Sequence, residues 1–160
     1  MKNKLILSIL ACCSLFLWGC PYESEVGIDS GPSVKIDARL LGTWKSKGSS
    51  DDKFVCTKAS DLTYKIEEVK KDGKNTIYSA FLSDVNGTTF MNAKEQGDGL
   101  STNYYLYKVV VNSASSVTLV PVTENITEKF SSSAELKQFI EKNMGLSFFY
   151  DKSVDEYTKQ

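Results

Sequence analysis

The middle of the chain alternates between apolar and polar residues with a period of two, which places successive side chains on opposite faces of a β-strand. The alternating stretches read KFVCTK, LTYKIEEV, TIYSAFLSDV, TTFMNA and YYLYKVVV. Asp72-Gly73 and Asn86-Gly87 separate three of them, and both dipeptides suit the positive φ angles of tight hairpin turns. The pattern therefore predicts an antiparallel meander within an all-β, mostly antiparallel fold.

Two later stretches extend this sheet. In YYLYKVVV, the face that carries Tyr105, Tyr107, Val109 and Val111 is the predicted core face. A short polar turn leads into VTLVPV, where Pro121 has no N–H to donate to a neighbouring strand. This last stretch is therefore predicted to lie at an edge or to contain a bulge.

A helix interrupts the β pattern near the end of the chain. Ser132 and Glu135 have the spacing of a capping box, and Gly145 is placed to end the helix. The residues at helical spacing are Leu136, Phe139, Ile140 and Met144. We expect this apolar stripe to pack on an open end or a face of the sheet. LSFFYD is then predicted as the last strand, and KSVDEYTKQ either continues it or frays.

The first twenty residues have the pattern of an export signal. Lys2 and Lys4 precede an apolar run of about fourteen residues, whereas a membrane-spanning helix needs roughly 20. A positive start and a short apolar run indicate a secretory signal peptide over residues 1–19. A buried core helix is the alternative, and the absence of a polar face argues against it.

The end of this run, Leu17-Trp18-Gly19-Cys20, resembles the lipobox of bacterial lipoproteins, although Trp18 stands where a small residue is usual. The resemblance implies cleavage before Cys20, attachment of diacylglycerol and fatty acids such as palmitate to that residue, and a membrane anchor in the cell envelope. We expect the outer membrane and leave the periplasmic and surface faces open. An ordinary signal peptide, with Cys20 incidental, is the alternative.

The chain after Cys20 divides into a tether and a domain. Glycine, proline and serine interrupt any periodicity over residues 20–37, which predicts a lipidated N-terminus followed by a flexible spacer. The folded domain is predicted to cover residues 38–160, a length suited to a single core.

Charge and cysteine content narrow the classes of function. The chain has 19 basic and 20 acidic residues, so without Lys2 and Lys4 the net charge is about −3, which argues against nucleic-acid binding. Two of the four cysteines lie in the signal peptide and Cys20 is the predicted lipid site. Cys56 is then left without a disulfide partner, and we expect it to be a small apolar core residue.

The chain contains no histidine, which removes the Ser-His-Asp and Cys-His arrangements and zinc sites built on histidine. Glu67-Glu68 is interpreted as solvated charge, because neighbours on a strand point to opposite faces. We therefore expect no enzymatic activity, no metal site and no cofactor.

Aromatic residues occur on almost every predicted strand. The candidates for a pocket or for the barrel interior are Trp44, Tyr64, Tyr78, Phe81, Tyr105 and Tyr107. These residues either fill a solid core or line a cavity for an apolar ligand, and a tyrosine-rich interior suits an amphipathic guest.

Leu41-Gly42-Thr43-Trp44, at the predicted start of the domain, resembles the opening motif of lipocalins and related calycins, and the chain looks most like the lipocalin-like lipoproteins of Bacteroides and its relatives. The resemblance implies a β-barrel with Gly42 and Trp44 at its closed end. Lipocalins usually pack a late arginine over this tryptophan. Arg39 is the single arginine here, so Lys152 or Lys159 would have to replace it.

The helix also departs from the lipocalin pattern, because it precedes the last strand. A complete eight-stranded cup and a smaller, incomplete or filled barrel both fit the residues.

The leading functional hypothesis is a membrane-anchored protein that binds a small apolar or amphipathic ligand. The alternative is a surface or periplasmic interaction module with a filled barrel, whose loops bind a protein or glycan.

Overall fold

The computed structural model describes residues 22–48, 53–97 and 102–160. The predicted signal peptide and the predicted lipid site Cys20 lie outside the described residues. The strands are β1 (Glu23–Ser24), β2 (Gly42–Ser46), β3 (Lys53–Lys58), β4 (Thr63–Val69), β5 (Thr76–Val85), β6 (Thr88–Gln96), β7 (Tyr104–Ser113), β8 (Ser116–Pro121) and β9 (Asp155–Lys159), and the helix α1 covers Ser133–Asn143.

Strands β2 to β9 form a closed antiparallel barrel of eight strands. Consecutive strands from β2 to β8 pair with each other, and β9 closes the ring between β8 and β2. The short β1 pairs with β7 through Glu23 and Ser24, beyond the point where β8 leaves it. The predicted all-β barrel, with a helix before its last strand, is confirmed.

The turn dipeptides behave differently. Asn86 and Gly87 have φ angles of 50° and 80° and join β5 directly to β6, as a two-residue hairpin turn requires. Gly73 also has a positive φ, of 77°, but it lies in a longer connection over residues 70–75.

Pro121 lies past Leu119, the last residue of β8 that pairs with β9. Strand β8 is therefore not an edge strand, and its proline comes where the pairing with β9 has already ended.

An outer core packs between the barrel wall and the helix. The side chain of Ser132 caps α1 by accepting the N–H of Glu135 at 3.3 Å, as the capping pattern predicts. The helix buries Leu136 and Ile140, and the wall residues of this cluster include Phe90. The full set of buried residues in this outer core is Tyr22, Ile28, Val85, Phe90, Leu106, Val122, Leu136, Ile140 and Phe149.

The segment 22–37 is packed against the barrel, which corrects the prediction of a flexible tether. The Tyr22 hydroxyl donates to the Glu128 carbonyl at 2.8 Å, and the Ile28 N–H donates to Asn92 Oδ1 at 2.8 Å. Tyr22 and Ile28 are both buried, so two apolar side chains hold this segment despite its glycine and serine content.

The last strand also differs from the prediction. Within LSFFYD, the residues Ser147–Phe149 form a 3₁₀ turn, and the final strand is β9. Phe149 is buried in the outer core while Phe148 is 71% exposed, because the turn points successive rings in different directions.

Candidate functional site

The barrel encloses a cavity of about 270 Å³ between its closed end and its mouth. Its aromatic lining consists of Trp44, Phe54, Tyr78, Tyr105, Tyr107 and Tyr157. The other apolar residues of its lining are Leu40, Cys56, Ile66, Met91, Ala93, Val117 and Leu119. Glu68 and Asp155 complete the wall, so the cavity is mainly apolar with a few polar groups.

Trp44 forms the floor of this cavity. Its indole N–H donates to the Leu40 carbonyl at 2.8 Å, which satisfies the buried polar group of the ring. Lys159 Nζ lies 5.1 Å from the centroid of the Trp44 ring and donates to the Arg39 carbonyl at 3.3 Å. Lys159 is thus the lysine of the predicted pair that takes the place over the tryptophan, while Lys152 is exposed.

Gly42 is required by this floor for two reasons. Its φ of 130° lies in a region that favours glycine, and a Cβ atom at this position would lie 2.6 Å from Cε of Lys159. The Gly-x-Trp spacing therefore lets the Lys159 side chain cross the backbone next to the ring that it covers.

Tyr64 lies inside the barrel but does not line the cavity. It is fully buried, and its hydroxyl accepts the Asp37 N–H at 2.6 Å and donates to the Asp37 carbonyl at 3.3 Å. Burial raises the pKa of Tyr64 to about 12. Its role here is to fill the barrel and to hold the backbone that leads into β2.

Phe81 lies on the outer face of the wall, which corrects its assignment to the interior. Ala80 and Leu82 belong to the inner core, so the side chain between them points outward, where its ring lies 6.0 Å from that of Tyr104. The sequence did not reveal this, because β5 is apolar on both faces in this region and alternation cannot identify the inner one.

The remaining candidates, Trp44, Tyr78, Tyr105 and Tyr107, come together around the cavity. Tyr78 and Tyr105 meet edge to face with their ring centroids 6.5 Å apart. Phe54 and Tyr157, which were not among the candidates, form a second edge-to-face pair at 5.5 Å. Tyr157 was missed because the prediction placed the last strand in LSFFYD.

The interpretation of Glu68 as solvated charge is also corrected. Its side chain is 17% exposed and belongs to the cavity wall, while Lys70 Nζ lies 3.3 Å from its Oε2 atom. The alternation of LTYKIEEV contained the necessary signal, since Glu68 shares the parity of the inward-facing Tyr64 and Ile66.

The hydroxyl groups in the cavity are held in their neutral form. Burial, followed by the charge of Glu68, raises the pKa of Tyr78 to about 12. Burial also raises the pKa of Tyr107 and of Tyr157, and Asp155 adds to the effect on both. The pKa of Asp155 is itself raised by burial at the mouth. The upper cavity, the part away from the Trp44 floor, is therefore lined by neutral phenol groups and by the carboxyl groups of Glu68 and Asp155.

Cys56 is buried in the cavity wall, as predicted for a small apolar core residue. Burial raises the pKa of its thiol to about 12, which outweighs the opposing charge of Lys159. The nucleophilic thiolate is accordingly scarce at neutral pH.

Within residues 22–48, 53–97 and 102–160, no three acidic, cysteine or histidine side chains group as metal ligands. The same residues include no helix with the length and apolar character needed to span a bilayer.

Comparison of the chain with known proteins gives no match to a family model, to a curated protein or to a solved structure. What the structure offers toward function is therefore the barrel itself, with a floor at Trp44 and an open upper cavity.

Proposed function

We propose that this protein is a membrane-anchored envelope lipoprotein that binds a small apolar or amphipathic molecule inside its barrel, without catalysing a reaction. The observation that carries the proposal is the cavity of about 270 Å³ with mainly apolar walls. Ligand sites are concave and largely apolar, with a small number of placed polar groups, and this cavity has that composition.

The size of the cavity limits the guest. Typical ligand pockets have volumes of about 300–1,000 Å³, and this cavity lies just below that range. A long acyl chain or a sterol does not suit such a volume. The guest is a compact molecule whose apolar part rests on the Trp44 floor.

The membrane anchor in this proposal rests on Leu17-Trp18-Gly19-Cys20 and on the apolar run before it. Acyl chains on Cys20 would hold the protein at the envelope, since each buried CH₂ group contributes about 0.8 kcal/mol. Metabolic labelling with palmitate tests this, because the label should disappear in the Cys20→Ala variant. Unchanged labelling would contradict the anchor.

Native mass spectrometry of the full chain, purified from its source, tests the ligand proposal. We expect an additional mass on the wild-type protein that is lost on denaturation. Ala93→Phe places a ring in the cavity, because Ala93 is an inward-facing wall residue, and this variant should lose the additional mass while staying folded. An equal additional mass on both proteins would place the guest elsewhere.

An interaction module is the second candidate function, and exposed apolar side chains favour it. Phe148 is 71% exposed and Leu146 is 39% exposed in the connection between α1 and β9. Exposed aromatic residues are enriched where proteins meet. A photo-crosslinking residue at position 148 should capture a partner in cells if this connection is the binding surface, whereas a residue at position 74, in the exposed connection between β4 and β5, should not.

A further inference from the structure

The described cavity wall carries two acidic side chains, and among the described residues only one of them, Glu68, has a lysine partner. Glu68 and Asp155 are its two ionisable acids, and no lysine or arginine is among its lining residues. Lys70 contacts Glu68 from outside the lining, and Lys159 is engaged with the Trp44 ring and the Arg39 carbonyl. Asp155 therefore brings negative charge to the lining without an ion-pair partner among the described residues, and Glu68 shares its charge with Lys70, which lies outside the lining.

The two acids flank the same space. Glu68, Asp155 and Tyr157 all line the one cavity, and after the larger effect of burial both acids raise the pKa of Tyr157. Asp155 acts on Tyr107 in the same way, and Glu68 acts on Tyr78. A positive group placed among these three tyrosines would be attracted by both acids at short range.

Among the described residues, the Tyr107 hydroxyl has no hydrogen-bond partner. Its ring lines the cavity, and in the described part of the chain no side-chain or backbone group forms a hydrogen bond with its oxygen. The oxygen is not sealed off, since no fully enclosed side-chain N or O atom lacks a partner in this part of the chain. It therefore faces the cavity and can accept a hydrogen bond from a guest.

The rings around this oxygen favour the same kind of guest. Tyr78, Tyr105, Tyr107 and Tyr157 surround the upper cavity, and aromatic faces attract ammonium groups through their quadrupoles. Aromatic cages hold quaternary and methylated ammonium groups in this way. Phenolate formation is suppressed, so the phenols contribute ring faces and neutral oxygens.

We propose that the guest is a small organic cation, an amine carried on a short aryl or alkyl body. This inference rests on the proposed function and adds the chemical class of the ligand. The ammonium group lies between Glu68 and Asp155 with the Tyr107 oxygen as an acceptor, and the apolar body lies on the Trp44 floor. The cavity of about 270 Å³ corresponds to roughly nine water molecules, so the guest has about ten non-hydrogen atoms.

Calorimetric titration of the full chain in nonionic detergent, with the blank micelle subtracted, tests this class. The probes are 2-phenylethylamine, 2-phenylethanol and 3-phenylpropionate, which share a phenyl body and differ in the charge of the polar end. We expect the amine to bind about tenfold more tightly than the alcohol, the gain typical of charge-assisted hydrogen bonds. The carboxylate should bind more weakly than the alcohol.

Amide variants connect this preference to the two acids. In Glu68→Gln with Asp155→Asn, the amine should fall to the affinity of the alcohol, while the affinity of the alcohol stays unchanged. Glu67→Gln is the matched control, because Glu67 is adjacent on β4 but points outward, where it accepts from Asn75 at 2.9 Å. This control should keep the full preference for the amine.

The outcomes separate the two proposals. Equal affinity for all three probes, or a preference for the carboxylate, overturns the cation inference and leaves ligand binding in the barrel standing. A preference for the amine that survives in the double amide variant also overturns it. If none of the probes binds at millimolar concentration, the cation inference fails for this size class. The ligand proposal then depends on the mass difference between wild type and Ala93→Phe.

Discussion

The two faces of the barrel wall differ in how far they are covered: the outer face is buried under other elements, whereas part of the inner face borders a cavity. Outside, the wall residues Phe90 and Leu106 are fully buried in one cluster with Ile140 of the helix and Ile28 of the segment 22–37. Inside, the lower half is closed around Tyr64 and Trp44, but the upper half leaves a cavity. The same strands supply both faces, since Phe90 points outward and Met91 inward.

This difference shows where the fold is held and where it is open. A protein interior normally reaches the density of an organic crystal, so a void is a departure from ordinary packing. Here the outer core supplies dense packing against β5, β6 and β7, which leaves the interior of the barrel free to remain partly unfilled. We infer that the outer core and the closed lower half of the inner core hold the fold, and that the upper inner core serves binding.

The largest expected effect compares two phenylalanines. Phe90→Ala should lower the free energy of unfolding by about 3–5 kcal/mol, because it leaves a void in a fully packed cluster. Phe54→Ala should cost less than half as much, because Phe54 already borders a cavity and is incompletely buried. Urea denaturation measures both, and equal losses would contradict the division of roles between the two cores.

A smaller effect is expected at the floor. Gly42→Ala should destabilise the protein by about 1–3 kcal/mol, since the residue has a φ of 130° and its Cβ would collide with Lys159. Gly145→Ala is the control, because a Cβ atom at that position would meet no atom of a more distant residue within 4 Å. The control should change the unfolding midpoint little. A neutral Gly42→Ala variant would contradict the need for glycine at this φ angle, because the end of the Lys159 side chain can move away from a Cβ atom.

Removing the hydroxyl group of Tyr64 or of Tyr107 compares the closed half of the inner core with the half that contains the cavity, by their effects on the free energy of unfolding. Tyr64→Phe should cost about 1–2 kcal/mol, because it leaves the Asp37 N–H without its 2.6 Å partner. Tyr107→Phe should leave the free energy of unfolding unchanged but weaken the binding of 2-phenylethylamine. A clear loss of stability in Tyr107→Phe would indicate a structural hydrogen bond at that oxygen.

The smallest effect is a difference in pH dependence between neighbours on β9. Folding raises the pKa of Asp155, so its contribution to stability is present below the unfolded pKa of about 3.9 and is lost as the pH rises through the folded value. Asp155→Asn should therefore gain stability relative to wild type between about pH 4 and pH 7.

Glu156 should have the opposite effect on the pH dependence of stability. The ammonium group of Lys47 lowers the pKa of Glu156, so its contribution is present above the unfolded pKa and is lost as the pH falls. Glu156→Gln should lose stability relative to wild type in the range where Asp155→Asn gains it. Parallel urea titrations at several pH values measure both, and shifts of the same sign would contradict the two environments.

Much of this architecture was predictable, because local chemistry determines it. The alternating stretches predicted the strands, Asn86-Gly87 predicted the hairpin between β5 and β6, and the capping pattern at Ser132 predicted the start of the helix. The floor at Trp44 and the covering lysine followed from a family resemblance and are present in the structure. The strands, the hairpin and the helix start depend on residues close in sequence, whereas the lysine over Trp44 is distant in sequence and was expected from the resemblance alone.

Other features depend on contacts that no local pattern contains. The inward face of β5 at Phe81 is set by the rest of the wall, since both faces are apolar there. The segment 22–37 is held by Asn92 and Lys137, which are distant in sequence. The size of the cavity depends on how the side chains of eight strands meet, and composition could not distinguish a filled barrel from an open one.

The position of β9 has a consequence for how the molecule forms. Because Asp155–Lys159 pairs with β8 on one side and β2 on the other, the ring stays open until these five residues dock. Until then, β2 and β8 would present unpaired backbone groups to any neighbouring chain. The docking of β9 therefore removes two open strand edges at once, each a template for pairing with another chain.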